Sequence, residues 1–270
     1  MSSWNEPSPP PDPLTPPPEA AEISPIRLPI ENPPWTFWDV LRLLVITIVS
    51  IGIFGAVAIG IALRSLGQKD PSELARDPRL AVPAQFAAYV VLVLAMVILV
   101  RMRGAAFWRA VKWNFPFRTW AGYVALGIAL AVAIQSVSAL LPIPKQLPID
   151  KYFRTELGAY MMAFFGIAVA PFVEEMFFRG FLYPVLVRRL GVFLGVVLTA
   201  IAFAFIHESQ LAHAWAPLLM LFVVGVALTA VRARIQSVAG SWLVHVGYNS
   251  TLFLLLFLAS DHFRHLEKLS

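Results

Sequence analysis

The sequence predicts an all-α protein, a polytopic transmembrane helical bundle of about seven to eight spans. Of the 270 residues, 59% are hydrophobic and only 14% are charged, and the mean hydropathy is +0.72. A typical soluble domain is only about 45–50% apolar. Several apolar runs also approach or exceed the roughly 20 residues that a helix needs to cross a bilayer. We therefore expect an integral, multi-pass membrane protein, and we expect it in the plasma membrane.

The first 34 residues are predicted to form a separate region, a disordered Pro-rich tail. They hold 12 of the 22 prolines and little that could be buried, a composition typical of disordered or polyproline II segments. We interpret the region as a plain tail; a ligand for a proline-binding domain is the alternative. Trp35, Phe37 and Trp38 follow directly, and they predict an aromatic anchor at the membrane interface.

Seven apolar runs after this anchor predict seven spans. Region 35–119 holds the first two spans and a basic loop, region 120–260 holds the other five, and residues 261–270 form a C-terminal tail. The predicted spans are 39–63, 82–100, 120–141, 158–187, 191–207, 217–231 and 237–258.

Two connections between the spans have distinctive compositions. The loop 101–118 contains five basic residues and no acidic one, with Trp108 and Trp113 between them, which is typical of an amphipathic interfacial segment. The prolines of 142–148 cannot continue a helix, so an ordered connection outside the core is expected there. The net charge of +5 is spread over loops, and it favours contact with anionic lipid headgroups rather than with nucleic acid.

Polar residues interrupt the last spans. Glu174 and Glu175 are adjacent within an apolar stretch, His207 ends an apolar run, and His245 and Asn249 lie one turn apart in the last run. Charged groups are costly in hydrocarbon, so these residues indicate a functional site. With a helix rise of about 1.5 Å per residue, Glu174 and the three later residues lie about 14–24 Å from one membrane surface. We therefore expect those four to face one water-filled cavity.

Helical spacing separates the roles of the two glutamates. Glu175 precedes Arg179 by four residues, which is the favourable order for an intrahelical ion pair. Such a pair would keep one carboxylate charged and fixed, and simple helix stabilisation is the alternative to a direct role in catalysis. Glu174 projects about 100° away from its neighbour, so it remains free for chemistry.

The later polar residues also show helical spacing. His245 and Asn249 are four residues apart, so both project from one face. Interhelical hydrogen bonding is the alternative for this pair. Phe203 lies one turn before His207, and it is expected to pack the imidazole in place.

A carboxylate, two imidazoles and an amide suit the activation of water. The carboxylate accepts a proton from water, and the amide or an imidazole stabilises the oxyanion that forms. Alternatively, Glu174, His207 and His245 bind zinc and leave a fourth position for water, an accepted catalytic set. Zinc is the one cofactor considered, and no organic cofactor is expected. The absence of cysteine excludes thiolate ligands and disulfides.

Other hydrolytic patterns fit the sequence less well. His207 and Glu208 begin like H-E-x-x-H, but Leu211 stands where the second histidine should be. Ser241 lies one turn before His245, and no G-x-S-x-G surrounds it. A serine mechanism is therefore a minor alternative.

Three motifs follow one another in the last spans. They are Glu174-Glu175-x-x-x-Arg179, Phe203-x-x-x-His207 and His245-x-x-x-Asn249. Their order closely resembles that of the CAAX prenyl endopeptidase and bacteriocin-processing family, also called the Abi or CPBP family, over roughly residues 140–258. The resemblance implies an intramembrane, glutamate-dependent endopeptidase, often classed as a metalloprotease, with region 120–260 as its catalytic core. It implies Glu174 as the base that acts on water, with the two histidines and Asn249 completing the centre.

The predicted function is hydrolysis of a peptide bond in a membrane peptide or a lipidated protein C-terminus, with CAAX-type processing implied by the family. A non-enzymatic membrane scaffold or immunity-type protein is the alternative. An ion-coupled transporter is less favoured, because no internal repeat is evident. The expected partners are the substrate and the lipid bilayer, without nucleic acid. The residues predicted for catalysis are Glu174, Glu175, Arg179, His207, His245 and Asn249.

Overall fold

The computed structural model describes residues 31–66, 70–144, 146–153 and 155–264. These residues form helices and their connections, with no β-strand among them. The predicted all-α fold is therefore confirmed for the described part of the chain. Most of the predicted tail, residues 1–30, lies outside the described residues.

Ten α-helices follow one another in the described residues. In chain order they are α1 Phe37–Leu66, α2 Pro71–Leu74, α3 Pro78–Met102, α4 Phe107–Ala110, α5 Trp120–Ser138, α6 Glu156–Phe164, α7 Ala170–Glu175, α8 Tyr183–Phe205, α9 Trp215–Ile235 and α10 Val238–Ala259. Two π-helical turns, Phe165–Val169 and Met176–Leu182, join α6, α7 and α8 into one continuous helix. Short 3₁₀ helices at Pro148–Phe153 and Glu208–Leu211 lie in connections.

Polar residues at the helix starts explain where several of these helices begin. Thr36 and Asp39 form a reciprocal capping box at the start of α1, since each side chain accepts the backbone N–H of the other. Asp70 caps α2 and Asp77 caps α3, each through its carboxylate and each followed by proline in the first turn. Ser237 caps α10 by accepting the Gly240 N–H.

Six helical stretches are long and apolar enough to cross a membrane, and the longest of them folds back on itself. That stretch runs from Glu156 to Phe205 and contains non-helical Gly191, with φ +80°. The rings of Phe178 and Phe203 lie 5.5 Å apart, whereas a straight helix would separate them by about 37 Å. The stretch is therefore a hairpin, and its two arms correspond to the predicted spans 158–187 and 191–207. The polytopic bundle is confirmed.

Of the two tryptophans predicted as an interface anchor, one is exposed and the other is buried in the core. Trp38 is 66% exposed, as an anchor should be, whereas Trp35 is 0% exposed. The prediction for Trp35 is wrong, because its indole N–H donates to the carbonyl of Phe181 and its ring stacks on that phenylalanine. Residues 31–34 also pack against the bundle, so the folded part starts before the boundary that we predicted.

The loop 101–118 matches its predicted amphipathic character. Phe107 and Val111 are buried in the main apolar cluster, while Trp108 and Arg109 on the short helix α4 between them are exposed. The alternation of apolar residues toward the bundle and aromatic or basic residues outward is typical of an interfacial segment.

Helices α5 and α10 approach so closely that only glycine fits between them. A Cβ atom on Gly127 would lie 2.1 Å from the carbonyl oxygen of Val244, and one on Gly247 would lie 2.4 Å from that of Val124. Small residues at such crossings let helix backbones approach in membranes. The contact fixes the position of α10, which carries two of the predicted site residues.

Candidate active site

The two glutamates lie on α7, between the two π-helical turns. In the first turn, the Ala170 N–H bonds to the carbonyl of Phe165, five residues back. Pro171 has no N–H with which to continue this pattern, which leaves the carbonyl of Gly166 without its helical donor. The side-chain amide of Asn249 donates to that carbonyl over 2.6 Å. The first π turn thus creates the acceptor that holds Asn249.

The second π turn places Arg179 in the interior of the bundle. Here the Tyr183 N–H bonds to the carbonyl of Phe178, again five residues back, and Pro184 follows. Every residue of this turn is buried, including Arg179. Because π turns in α-helices often mark functional sites, two of them around six helical residues single out α7.

Glu175 is fully buried and bonds to three side chains. Its Oε1 accepts from Arg179 over 2.8 Å and from Nδ1 of His245 over 3.0 Å, and its Oε2 accepts from the hydroxyl of Ser241 over 2.6 Å. The predicted ion pair with Arg179 is therefore present. The carboxylate is also the centre of an interhelical network that joins α7 to α10 through His245 and Ser241.

Arg179 is held on three sides. Besides Glu175, its guanidinium donates to the hydroxyl of Thr229 over 3.1 Å and to the carbonyl of Gly225 over 3.0 Å, both on α9. It lies 4.6 Å from the centre of the Phe203 ring, a cation–π distance. A buried guanidinium with this many partners is rigid, so it fixes the orientation of the Glu175 carboxylate.

His245 faces both glutamates, one with each ring nitrogen. An ionised carboxylate can only accept, so the hydrogen bond to Glu175 places the imidazole proton on Nδ1. Nε2 lies 3.9 Å from Oε2 of Glu174, and in the neutral form of the ring this nitrogen carries a lone pair. That distance exceeds a direct hydrogen bond. Two acceptors that face each other in this way are suited to share the two protons of one water molecule.

Phe203 organises the aromatic side of the site. Its ring centre lies 5.1 Å from that of His207, as predicted for this pair, and 5.7 Å from that of His245. Nδ1 of His207 bonds to the carbonyl of Phe203 over 2.9 Å, so this nitrogen is the donor and Nε2 is the free acceptor. In the described structure, His207 forms no hydrogen bond with Glu174, His245 or Asn249.

A groove of about 380 Å³ lies between α3 and the segment that precedes Glu174. Its walls come from α3 and from the segment that ends at Val173, the residue before Glu174. Several of its α3 residues are exposed, so the groove lies at the surface of the bundle. Its lining is apolar except for the hydroxyl of one tyrosine: Phe86, Tyr89, Val90, Val93, Leu94, Ala168, Val169, Phe172 and Val173.

The buried carboxylate–arginine–histidine network lies on two apolar helices and contains residues of the first and third motifs. Residues 156–251 match the model of the type II CAAX prenyl endopeptidase Rce1-like family. This segment is similar to that family. The match contains all six residues predicted for the site, and the predicted resemblance is confirmed over these residues. The comparisons with curated proteins and with solved structures gave no match.

The predicted zinc ligands, Glu174, His207 and His245, do not come together in the described structure. Among the described residues, no three histidine or acidic side chains gather where one metal ion could bind them together. Nδ1 of His245 is engaged by Glu175, and His207 is joined to Phe203 rather than to Glu174. The three residues are therefore not gathered as metal ligands in the described structure, and zinc binding stays a prediction.

The sequence did not indicate three partners in the candidate site. Ser241 was weighed only as a nucleophile, whereas its hydroxyl bonds to Glu175 and also lies 2.9 Å from the carbonyl of Leu228. Its spacing of four residues from His245 was a usable signal. Thr229 on α9 and the Gly166 carbonyl gave no signal, because their role depends on how distant helices pack.

Proposed function

We propose that this protein is an intramembrane endopeptidase in which Glu174 activates water for peptide-bond hydrolysis. The observation that carries the proposal is the 3.9 Å gap between Glu174 Oε2 and His245 Nε2. Glu175 fixes the tautomer of His245 and is itself neutralised by Arg179. Glu174 is thereby the carboxylate with free acceptor capacity, as a general base must be.

The proposed reaction uses one water molecule between Glu174 and His245. Glu174 accepts a proton from the water while the water oxygen attacks the carbonyl carbon of the scissile bond. The C–N bond then breaks, and the same proton passes to the leaving amine. The side-chain amide of Asn249 has two N–H bonds, and one of them donates to the carbonyl of Gly166. The other is our candidate for stabilising the oxyanion. His207 contacts Phe203, and the Phe203 ring in turn packs against His245.

The apolar groove beside Glu174 supports a substrate that is embedded in or anchored to the membrane. Its volume of about 380 Å³ falls within the range of roughly 300–1,000 Å³ typical of ligand pockets. An apolar segment or a lipid chain seated there would place the neighbouring peptide bond near Glu174. The family match favours a lipidated C-terminus of the CAAX type as that substrate.

A matched peptide panel tests this function. Peptides of one C-terminal CAAX sequence, with and without a prenyl group on the cysteine, are incubated with the reconstituted protein, and new termini are detected by mass spectrometry. We expect the prenylated peptide to be cleaved at least roughly tenfold faster, since burial of its chain in the groove contributes about 0.8 kcal/mol per CH₂ group. Equal cleavage rates for the two peptides would show that the prenyl group does not contribute to substrate recognition. Absence of cleavage, for these peptides and for an apolar transmembrane peptide, would favour the non-enzymatic scaffold.

Chelation separates glutamate chemistry from metal chemistry. If Glu174 activates water with His245 alone, strong chelators should change the cleavage rate by less than about twofold, since a protein-bound catalytic metal would have to be removed for activity to fall. Metal content of the purified protein, measured beside the rate, is the control. Loss of cleavage on chelation, restored by added zinc, would contradict the metal-free route and return Glu174, His207 and His245 to the role of ligands.

A further inference from the structure

Residues 31–35, which we name the clasp, lie across one end of the bundle in front of α1. Glu31 is buried, and its two carboxylate oxygens are paired with different cations. Oε1 accepts from Arg232 over 3.0 Å, and Oε2 lies 2.9 Å from Nζ of Lys112. Arg188 donates to two backbone carbonyls of the clasp, over 3.0 and 3.1 Å. Arg103 donates to the carbonyl of Pro34 over 3.3 Å, so the clasp is held by polar contacts to at least four segments of the chain.

Trp35 connects the clasp to the second π turn. It is fully buried, its indole N–H donates to the carbonyl of Phe181 over 3.0 Å, and its ring stacks on Phe181 with centres 4.3 Å apart. Phe181 lies within the turn Met176–Leu182, two residues after Arg179. A displacement of Trp35 would therefore reach the turn that carries the arginine.

Glu31 connects the clasp to α9 through Arg232. Arg232 is 1% exposed, its guanidinium lies over the ring of Tyr183, and its Nε has no hydrogen-bond partner within the described structure. The paired Glu31 is the carboxylate that neutralises it. A buried arginine whose one carboxylate partner is lost is strongly disfavoured. The position of this end of α9 therefore depends on Glu31.

The clasp contacts the second π turn and α9, and the Arg179 side chain connects these same two elements. The π turn carries Arg179 itself, while α9 carries its partners Thr229 and Gly225, three and seven residues before Arg232. The distance between these elements sets how the guanidinium meets Glu175, and Glu175 in turn orients His245. A contact at the end of the bundle is thereby linked to the proposed water site.

We propose that Glu31 and Trp35 are positioning residues for the proposed active site, so this inference rests on the proposed function. Neither residue touches the reacting atoms. Their role is to hold the second π turn against α9, which keeps Arg179 and Glu175 in register with His245. Because small misplacements of a catalytic constellation cost rate rather than substrate affinity, the effect belongs in kcat.

Conservative variants test the clasp with a matched control. Trp35→Phe keeps a ring to stack on Phe181 but loses the N–H, and Glu31→Gln keeps the shape of the side chain but loses its charge. We expect each to lower kcat roughly tenfold and to change KM by less than about twofold. Trp38→Phe, at the exposed tryptophan outside the clasp, should leave both constants unchanged.

Amide hydrogen–deuterium exchange gives a second measurement that does not require activity. In both clasp variants, exchange should become faster in Met176–Leu182 and in 225–232, but not in α5. Unchanged exchange in these segments would overturn the proposal. Loss of folded protein with unchanged kcat per folded molecule would also overturn it, since the clasp would then be an anchor only. If the wild-type protein cleaves no substrate, the proposed function fails, while the exchange result still decides whether the clasp holds the turn.

Discussion

Replacing Glu174 by glutamine is expected to lower kcat by about 10²–10⁴-fold, the usual contribution of a general base. An amide of the same shape cannot accept the proton of water. The folded state should remain intact, because Nε2 of His245 lies 3.9 Å from Glu174 in the described structure, too far for a direct hydrogen bond. Cleavage of the prenylated peptide by reconstituted variant and wild type gives kcat, and thermal unfolding of the same preparations reports on folding.

Glu208→Gln is the matched control for this variant. Glu208 lies in the turn after α8 and pairs with the exposed His213, away from the network. Its loss of charge should leave kcat unchanged. A Glu174→Gln protein with wild-type kcat would refute the role of Glu174 as base.

The ion pair between Glu175 and Arg179 was predictable because it depends on geometry within one helix. A spacing of four residues brings Glu175 and Arg179 together whatever the surrounding packing, and the ion pair is present. The same reasoning predicted the contact of Phe203 with His207. Apolar run lengths predicted the spans for a similar reason, since the bilayer sets the length of a crossing helix.

What the sequence could not predict depends on contacts between distant segments. Rotation of α10 about its axis decides that Nδ1 of His245 meets Glu175 rather than Glu174. Trp35 looks like an interface anchor until Phe181, 146 residues later, is placed beside it. Pro171 was visible in the sequence, but whether a proline ends a helix or accompanies a π turn depends on the packing around it.

Replacing Arg179 by alanine is expected to destabilise the protein by about 3–5 kcal/mol and to abolish cleavage, because it leaves a buried charge without its partner. Glu175 is 0% exposed, and Arg179 is the cation that neutralises it. The variant also leaves the carbonyl of Gly225 without this donor. Thermal unfolding in detergent and the yield of folded protein measure the loss. Arg189→Ala, at an exposed arginine on α8, should change neither.

A double variant shows whether the uncompensated carboxylate causes that instability. Adding Glu175→Gln to Arg179→Ala removes the buried anion, while the new amide can still bond to Ser241 and His245. We expect the melting temperature to recover part of its loss, since replacing both members of a buried ion pair costs less than removing one. Cleavage should stay abolished, because a neutral amide no longer fixes the tautomer of His245 that faces Glu174. Recovery of both stability and cleavage would show that the pair stabilises the helix and takes no part in orienting the site.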